Sequence, residues 1–102
     1  MAATPTLRKL EYLLAVARDL NYRKAAARLH VDQSTLSRQV KEVEDELGFH
    51  VFIRGTRFVV IADEAKPFVM ALEQILLSFV TDLEKARNLS RLMARARQPP
   101  SL

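Results

Sequence analysis

The apolar residues at the start of the chain follow a helical period. Over residues 7–20 they recur at steps of three and four, which predicts an amphipathic helix, and a small apolar patch over 22–30 indicates a second, short helix. Thr6 stands where the N-cap of the first helix is expected. The predicted core positions are Leu7, Leu10, Leu14 and Ala17 in the first helix, and Ala25, Ala26 and Leu29 in the second.

A third helix is predicted over residues 33–47, because its apolar side chains also recur at helical spacing and form one stripe. Asp32 precedes it and suits an N-cap, and Gly48 follows it, where a C-cap glycine is typical. The stripe consists of Leu36, Val40, Val43 and Leu47.

The second half of the chain begins with a change of period. Two β-prone runs, 51–53 and 58–61, flank the tetrapeptide RGTR and predict a short hairpin with Gly55 in its turn. The helical period returns over 63–96, in a stripe made of Phe68, Leu72, Ile75, Phe79, Leu83 and Ala86. This order predicts a mainly α fold: a winged helix-turn-helix of three helices and a β-hairpin wing, followed by a long helix.

The polar face of the third helix carries groups that suit contact with DNA. At about 100° per residue, the residues opposite the apolar stripe are Ser34, Arg38, Lys41 and Asp45, and Thr35 and Ser37 flank them. Serine, threonine, glutamine and arginine can hydrogen-bond base edges. The acidic residues of the C-terminal half would repel DNA, so we expect the N-terminal end to enter the groove; these are Glu42, Glu44, Asp45 and Glu46. A solvated, well-capped helix face is the alternative.

Composition limits the classes of function. The chain has 102 residues, a formal net charge of +4 and a sequence pI near 9.9, which permits nucleic-acid binding without requiring it. Cysteine is absent, so disulfides and thiolate metal sites are excluded, and a cytoplasmic setting is expected. The two histidines, His30 and His50, are not placed beside a nucleophile, and no Gly-rich phosphate loop occurs. We therefore expect no enzyme activity, cofactor, metal or membrane partner.

Two motifs carry a resemblance to a known family. They are AAARLHVDQSTLSRQVKEVEDELG and the VFIRGTR that follows it. The chain over about residues 6–66 is similar, without a gap, to the N-terminal DNA-binding domain of LysR-type transcriptional regulators. The family pattern there is close to A-A-x-x-L-x-x-S-Q-P-A-L-S-R-Q-I-x-x-L-E-x-x-L-G, followed by L-F-x-R-x-x-R.

The resemblance implies sequence-specific binding of duplex DNA and a role for individual residues. In the major groove it places Gln33, Ser34, Thr35, Ser37, Arg38 and Lys41. On the wing and the DNA backbone it places Arg54, Arg57, Arg23 and Lys24. The corresponding division of the chain is a DNA-binding domain over 1–62, a linker or dimerisation helix over 63–97 and a disordered tail over 98–102.

The chain departs from the family pattern at several positions. Ser34 replaces the usual proline, and Asp32 replaces a common serine. After the wing the family's L-T-x-A-G becomes IADEA, so we expect Asp63 to take over the cap of the long helix. Pro67 follows closely, and it predicts either a late start or a bend of that helix.

The apolar stripe of the long helix exceeds what so small a domain can cover. Either the helix folds back on its own domain, or a second chain covers it. The resemblance implies a homodimer, with two recognition helices on an interrupted inverted repeat of DNA. It also implies that a longer form of the protein could assemble as a tetramer. The expected dimer interface is Leu72, Ile75, Phe79, Leu83 and Ala86. The family's effector-binding domain is absent from this chain, so no small-molecule ligand is expected.

Two alternatives remain open at this point. The basic end of the long helix is either in contact with DNA flanks or an acidic partner, or simply solvated; it comprises Lys85, Arg87, Arg91, Arg95 and Arg97. A protein-interaction module that keeps the fold without binding DNA is the rival function. Four residues that match the family pattern argue against it: Gln33, Ser37, Arg38 and Arg57. The acidic run after Lys41 and the altered Ser34 favour it.

Overall fold

The structure, a computed structural model, describes residues 4–97. Its helices are α1 (Leu7–Asp19), α2 (Tyr22–Leu29), α3 (Gln33–Leu47) and α4 (Lys66–Arg97). Strands β1 (Phe52–Arg54) and β2 (Val59–Ile61) form an antiparallel hairpin, and a 3-10 turn (Asp63–Ala65) precedes α4. The predicted class, a mainly α winged helix-turn-helix followed by a long helix, is confirmed. The predicted disordered tail lies outside the described residues.

Local capping determines where the first three helices begin and end. Thr6 Oγ1 accepts from the Lys9 N–H at 3.3 Å, as predicted, and Asn21 Oδ1 accepts from the Lys24 N–H at 2.9 Å. Asp32 occupies the N-cap position of α3, as predicted, although its side chain makes no cap hydrogen bond. Gly48 ends α3 in the left-handed region, with φ of 85°.

The core of the helical domain lies among α1, α2 and α3. The predicted stripe of α1 is wrong in part, because Leu7 is 40% exposed and only Leu14 of the four is buried. The second half of α1 packs against both other helices and buries a wide arc, while its first turn lies at the rim; the buried residues are Leu13, Leu14, Ala15 and Val16. Ala25 and Ala26 of α2 are buried as predicted.

The stripe of α3 was predicted more accurately. Leu36, Val40 and Val43 are fully buried, and Leu47 is half-buried at the end of the helix. The hairpin joins this core through Val51 and Phe52. The Phe52 ring meets the Tyr22 ring edge-on, with centroids 6.3 Å apart, so the hairpin and α2 share one aromatic contact.

The connection from the hairpin to α4 differs from the sequence prediction. The strands begin one residue later than predicted, and Arg54 pairs with Val59 next to the turn. Asp63 does not cap α4; its carboxylate pairs with the Lys66 ammonium at 2.9 Å, which lowers the pKa of Asp63. Pro67 is the second residue of α4, where its missing N–H would have no helical partner. α4 therefore begins at Lys66, three residues after the predicted start at residue 63.

The chain divides into two compact units, the first ending at Leu72 and the second beginning at Glu73. In the first unit, Ala65, Val69 and Leu72 are buried, and the Phe68 ring meets the Phe49 ring edge-on at 5.5 Å. Leu72, which is expected in the dimer interface, is only 5% exposed in this unit. None of the helices within residues 4–97 combines the length and the apolar character needed to cross a bilayer.

The second unit consists of the helical segment from Glu73 to Arg97. It carries an unusual number of large apolar side chains in solvent, with Ile75 63% and Phe79 49% exposed. Several of them were not singled out from the sequence: Leu77, Val80, Leu89, Leu92 and Met93. Toward its end, Arg87 pairs with Glu84 and Arg91 donates to Asn88, each within one turn of the helix.

Candidate nucleic-acid interface

A polar cleft of about 340 Å³ lies where the N-terminal ends of α2 and α3 meet the hairpin. It brings together five of the residues that the sequence singled out: Arg23, Gln33, Ser37, Arg54 and Arg57. A second cleft, of about 510 Å³, lies between α3 and β1, and Arg38 and Lys41 line it. Ser37 and Arg54 line both clefts.

The other predicted contact residues lie around these clefts. Lys24 and Ser34 are exposed, and Thr35 is half-buried, although none of the three lines either cleft. Arg38 and Lys41 are exposed, as expected for the polar face of α3. The predicted polar face of α3 is therefore open to a large ligand over its N-terminal half.

Arg54 is not free at the hairpin tip. Its guanidinium carbon lies 3.9 Å from the centroid of the Tyr22 ring, and its Nη2 donates to Ser37 Oγ at 3.0 Å. Burial raises the pKa of the Tyr22 hydroxyl, and the neighbouring Arg54 charge partly offsets this rise. Arg54 thus ties the end of β1 to both helices of the helix-turn-helix, which no local sequence pattern indicated.

The hairpin turn carries Arg57 into solvent. The Gly55 N–H donates to the Phe58 carbonyl at 2.9 Å and closes the turn. The Phe58 ring lies directly against Gly55, so that a Cβ at this position would overlap the ring. Phe58 is 56% exposed at the tip, so its ring would have to move to make room for a side chain at position 55.

Glu44 fastens the hairpin to α3. Its Oε2 atom accepts hydrogen bonds from the backbone N–H groups of Val51, at 2.6 Å, and Phe52, at 3.2 Å. The carboxylate is only 13% exposed, and His50 Nδ1 lies 3.7 Å from it. This carboxylate, one of the acids expected to repel DNA, therefore also holds the start of the hairpin. The sequence feature that could have indicated this role is the position of Glu44, one turn before the C-cap Gly48.

Two further acids of α3 are paired with α1. The Lys9 ammonium lies 2.7 Å from Glu46 Oε1 and 3.4 Å from Glu42 Oε2. The hydrogen bond that the Lys9 ammonium donates to Glu46 raises the pKa of Lys9 above its usual value. Glu42 and Glu46 are thus partly compensated by Lys9, whereas Asp45 is exposed on the polar face, and repulsion of DNA by these acids stays a prediction.

The described residues contain no cluster of three or more histidines, aspartates or glutamates that could hold a metal ion. His30 ends α2 in the left-handed region with φ of 57°, and His50 lies beside Glu44. Neither histidine was predicted to serve in catalysis.

The family model described as the bacterial regulatory helix-turn-helix protein, lysR family, matches residues 7–66. The chain belongs to the LysR family. The resemblance noted over residues 6–66 is thereby confirmed, and the match covers α1, α2, α3 and the hairpin.

Curated LysR-type relatives share most of this chain. The HTH-type transcriptional regulator BudR of Klebsiella aerogenes is 39% identical over 85 residues, which span 83% of this chain and 59% of BudR. The HTH-type transcriptional regulator XapR of Escherichia coli (strain K12) is 36% identical over 85 residues, which span 83% of this chain and 29% of XapR. The chain therefore corresponds to only part of each relative's length.

Solved LysR-type structures have the same fold. The BenM_DBD/catB site 1 DNA complex matches with a TM-score of 0.79 and 30% identity, covering 83% of this chain and 94% of that one. Full-length CbnR complexed with its target DNA matches with a TM-score of 0.72 and 30% identity, covering 80% of this chain and 28% of that one. Both relatives were crystallised with DNA.

Proposed function

We propose that this chain binds specific double-stranded DNA as the DNA-binding part of a LysR-type transcriptional regulator. The observation that carries the proposal is the grouping of Arg23, Gln33, Ser37 and Arg57 around one open cleft. Two helix starts and a hairpin supply these groups, so a single duplex could meet all of them. Similarity to BenM_DBD and CbnR, which were crystallised with DNA, supports it.

The contacts fall into two classes. The N-terminal half of α3 enters the major groove, where arginine suits guanine, glutamine suits adenine, and hydroxyls suit several base edges. This set is Gln33, Ser34, Thr35, Ser37, Arg38 and Lys41. Arg23 and Lys24 at the start of α2 contact the DNA backbone, and Arg57 on the hairpin contacts phosphate or a narrow minor groove.

The regulator acts as a homodimer through α4. Ile75 and Phe79 are exposed apolar residues on one face of that helix, and Leu83 and Ala86 continue the face at helical steps. Leu89 and Met93, both exposed, extend it by three and four residues. Two-fold pairing would place two copies of α3 on an interrupted inverted repeat.

The proposed division of labour follows the family. Residues 1–62 bind DNA, and residues 63–97 link and pair the chains. An effector-binding domain would belong to a longer form of the protein, since the chain spans only 29% of XapR. Catalysis, a cofactor and a small-molecule ligand have no place in the function proposed for this part.

The function is tested by fluorescence anisotropy with two duplexes across a salt series. One duplex is selected from a randomised pool by this chain, and the other is its scrambled sequence. We expect tight binding to the selected duplex, with an affinity that falls steeply as salt rises. Equal, weak binding to both would contradict the proposal and favour the protein-interaction module.

Replacing Arg38 with alanine is expected to weaken binding to the selected duplex by about 1–3 kcal/mol and to relax base preference, because one base contact is lost. The matched variant is Arg38→Lys, which keeps the charge but loses the planar fork. We expect Arg38→Lys to retain the salt dependence and still lose preference in the anisotropy assay. If Arg38→Ala weakens both duplexes equally, Arg38 contacts phosphate rather than a base.

A further inference from the structure

Arg54 connects three elements of the candidate interface. It is the last residue of β1, and its cross-strand pairing with Val59 fixes the backbone from which its side chain extends. The guanidinium stacks on the Tyr22 ring of α2 at 3.9 Å and donates to Ser37 Oγ of α3 at 3.0 Å. An aromatic ring on one side and a hydroxyl on the other hold it away from the hairpin tip.

This contact determines what the Ser37 hydroxyl can offer. A serine hydroxyl has one proton to donate and two lone pairs, whereas a guanidinium can only donate. Ser37 must therefore accept from Arg54, and its own O–H bond is directed away from the guanidinium. Accepting from a cation also polarises the hydroxyl and strengthens it as a donor.

A hydroxyl with this orientation distinguishes base edges. In the major groove, purine N7, guanine O6 and thymine O4 accept hydrogen bonds, the amino groups of adenine and cytosine donate them, and cytosine alone presents a donor without an acceptor. A serine that is free to rotate can serve either kind of edge. Once one lone pair is occupied by Arg54, the donor role is favoured and the cytosine amino group becomes the poorest partner.

We propose that Arg54 is a positioning residue that stacks on Tyr22 and orients the Ser37 hydroxyl as a hydrogen-bond donor toward a base-edge acceptor in the major groove. This inference rests on the proposed function and specifies how one base pair in each half-site is recognised. It replaces the expectation that Arg54 is a wing contact to the DNA backbone. A residue that acts through Ser37 contributes selectivity, whereas a phosphate contact contributes affinity for any sequence.

The test is a double-mutant cycle on the whole chain with Ser37→Ala, Arg54→Met and the double variant. Methionine keeps an unbranched side chain against the Tyr22 ring but cannot donate. Each protein is titrated by anisotropy against the pool-selected duplex, against every single base-pair substitution of it, and across a salt series. Thermal unfolding of each variant is recorded alongside.

We expect each single variant to bind the selected duplex about 3- to 10-fold more weakly, the range for one net hydrogen bond. Both should lose preference at the same base pair of each half-site and keep it elsewhere. The double variant should bind no more weakly than the weaker single variant. The slope of affinity against salt should stay unchanged, because no phosphate contact is removed.

Other results would overturn the inference. If Arg54→Met weakens all duplexes equally and lowers the salt slope by about one charge, Arg54 contacts phosphate, and the proposed function stands without it. If the losses of binding free energy in the double variant are additive, Arg54 does not act through Ser37, which also contradicts the inference. If Arg54→Met fails to fold, Ser37→Ala alone decides, since unchanged preference at every base pair contradicts the proposal. If the wild-type chain binds the selected duplex no more tightly than its scrambled sequence, both the proposed function and this inference are overturned.

Discussion

Replacing Phe79 with aspartate is expected to convert the proposed dimer into a monomer. Phe79 is 49% exposed on the described chain and lies in the centre of the apolar face of α4. In a two-fold interface each substitution acts twice, once in each copy, and it places a carboxylate where an aromatic ring was buried. We expect association to weaken by at least about 3 kcal/mol, as for loss of a central aromatic anchor. Sedimentation velocity across a concentration series measures the change.

The matched control lies two residues away on the same helix. Leu77 is 60% exposed, but positions two residues apart on a helix point in different directions, so Leu77 lies outside the proposed face. We expect Leu77→Asp to leave the sedimenting mass of the dimer unchanged. A Phe79→Asp protein that still sediments as a dimer would exclude this face, and a monomeric wild type would exclude the dimer itself.

Replacing Glu44 with alanine is expected to lower the free energy of unfolding by about 2–4 kcal/mol, because hydrogen bonds to a charged group are stronger than neutral ones. The carboxylate accepts from two backbone N–H groups, at 2.6 and 3.2 Å, and lies largely out of solvent. Alanine would leave both donors without this partner. Urea unfolding measures the loss, and faster amide exchange at Val51 and Phe52 would localise it to the start of the hairpin.

Glu44→Gln is the control for this prediction. The amide has nearly the same shape and keeps one oxygen acceptor, but it carries no charge. We expect a loss of unfolding free energy smaller than that of the alanine variant. A Glu44→Ala protein as stable as the wild type would mean that water replaces the carboxylate, and that the hairpin does not depend on Glu44.

The parts of the fold that were predicted well are those in which several local signals agree. The bounds of α3 match the prediction at both ends, because the apolar spacing and the terminal glycine point to the same segment. The caps at Thr6 and Gly48 are likewise decided within a few residues of the backbone they serve. Such features depend on residues that are close in sequence, so the sequence pattern alone predicts them.

The features that were missed depend on residues distant in sequence. Lys9 and Glu46 are 37 positions apart, and Arg54 and Ser37 are 17 apart, so no periodicity could pair them. For the same reason, the α3 acids were assigned by charge alone, although Glu44 serves the hairpin. In α4, helical spacing indicated a single stripe, but it could not separate buried Leu72 from exposed Ile75 and Phe79. Only packing distinguishes positions that share a period.

The pairing of Lys9 with Glu42 and Glu46 has a consequence for the kinetics of DNA encounter. Two carboxylates of α3 are compensated from α1, and Glu44 is turned inward, while Arg38 and Lys41 remain exposed. The net charge exposed to solvent therefore changes along α3, and the electric field around the domain is directional. A duplex approaching through solution would experience a torque before contact. Under the proposed function, neutralising Lys9 would slow association at low salt, even though Lys9 touches no DNA.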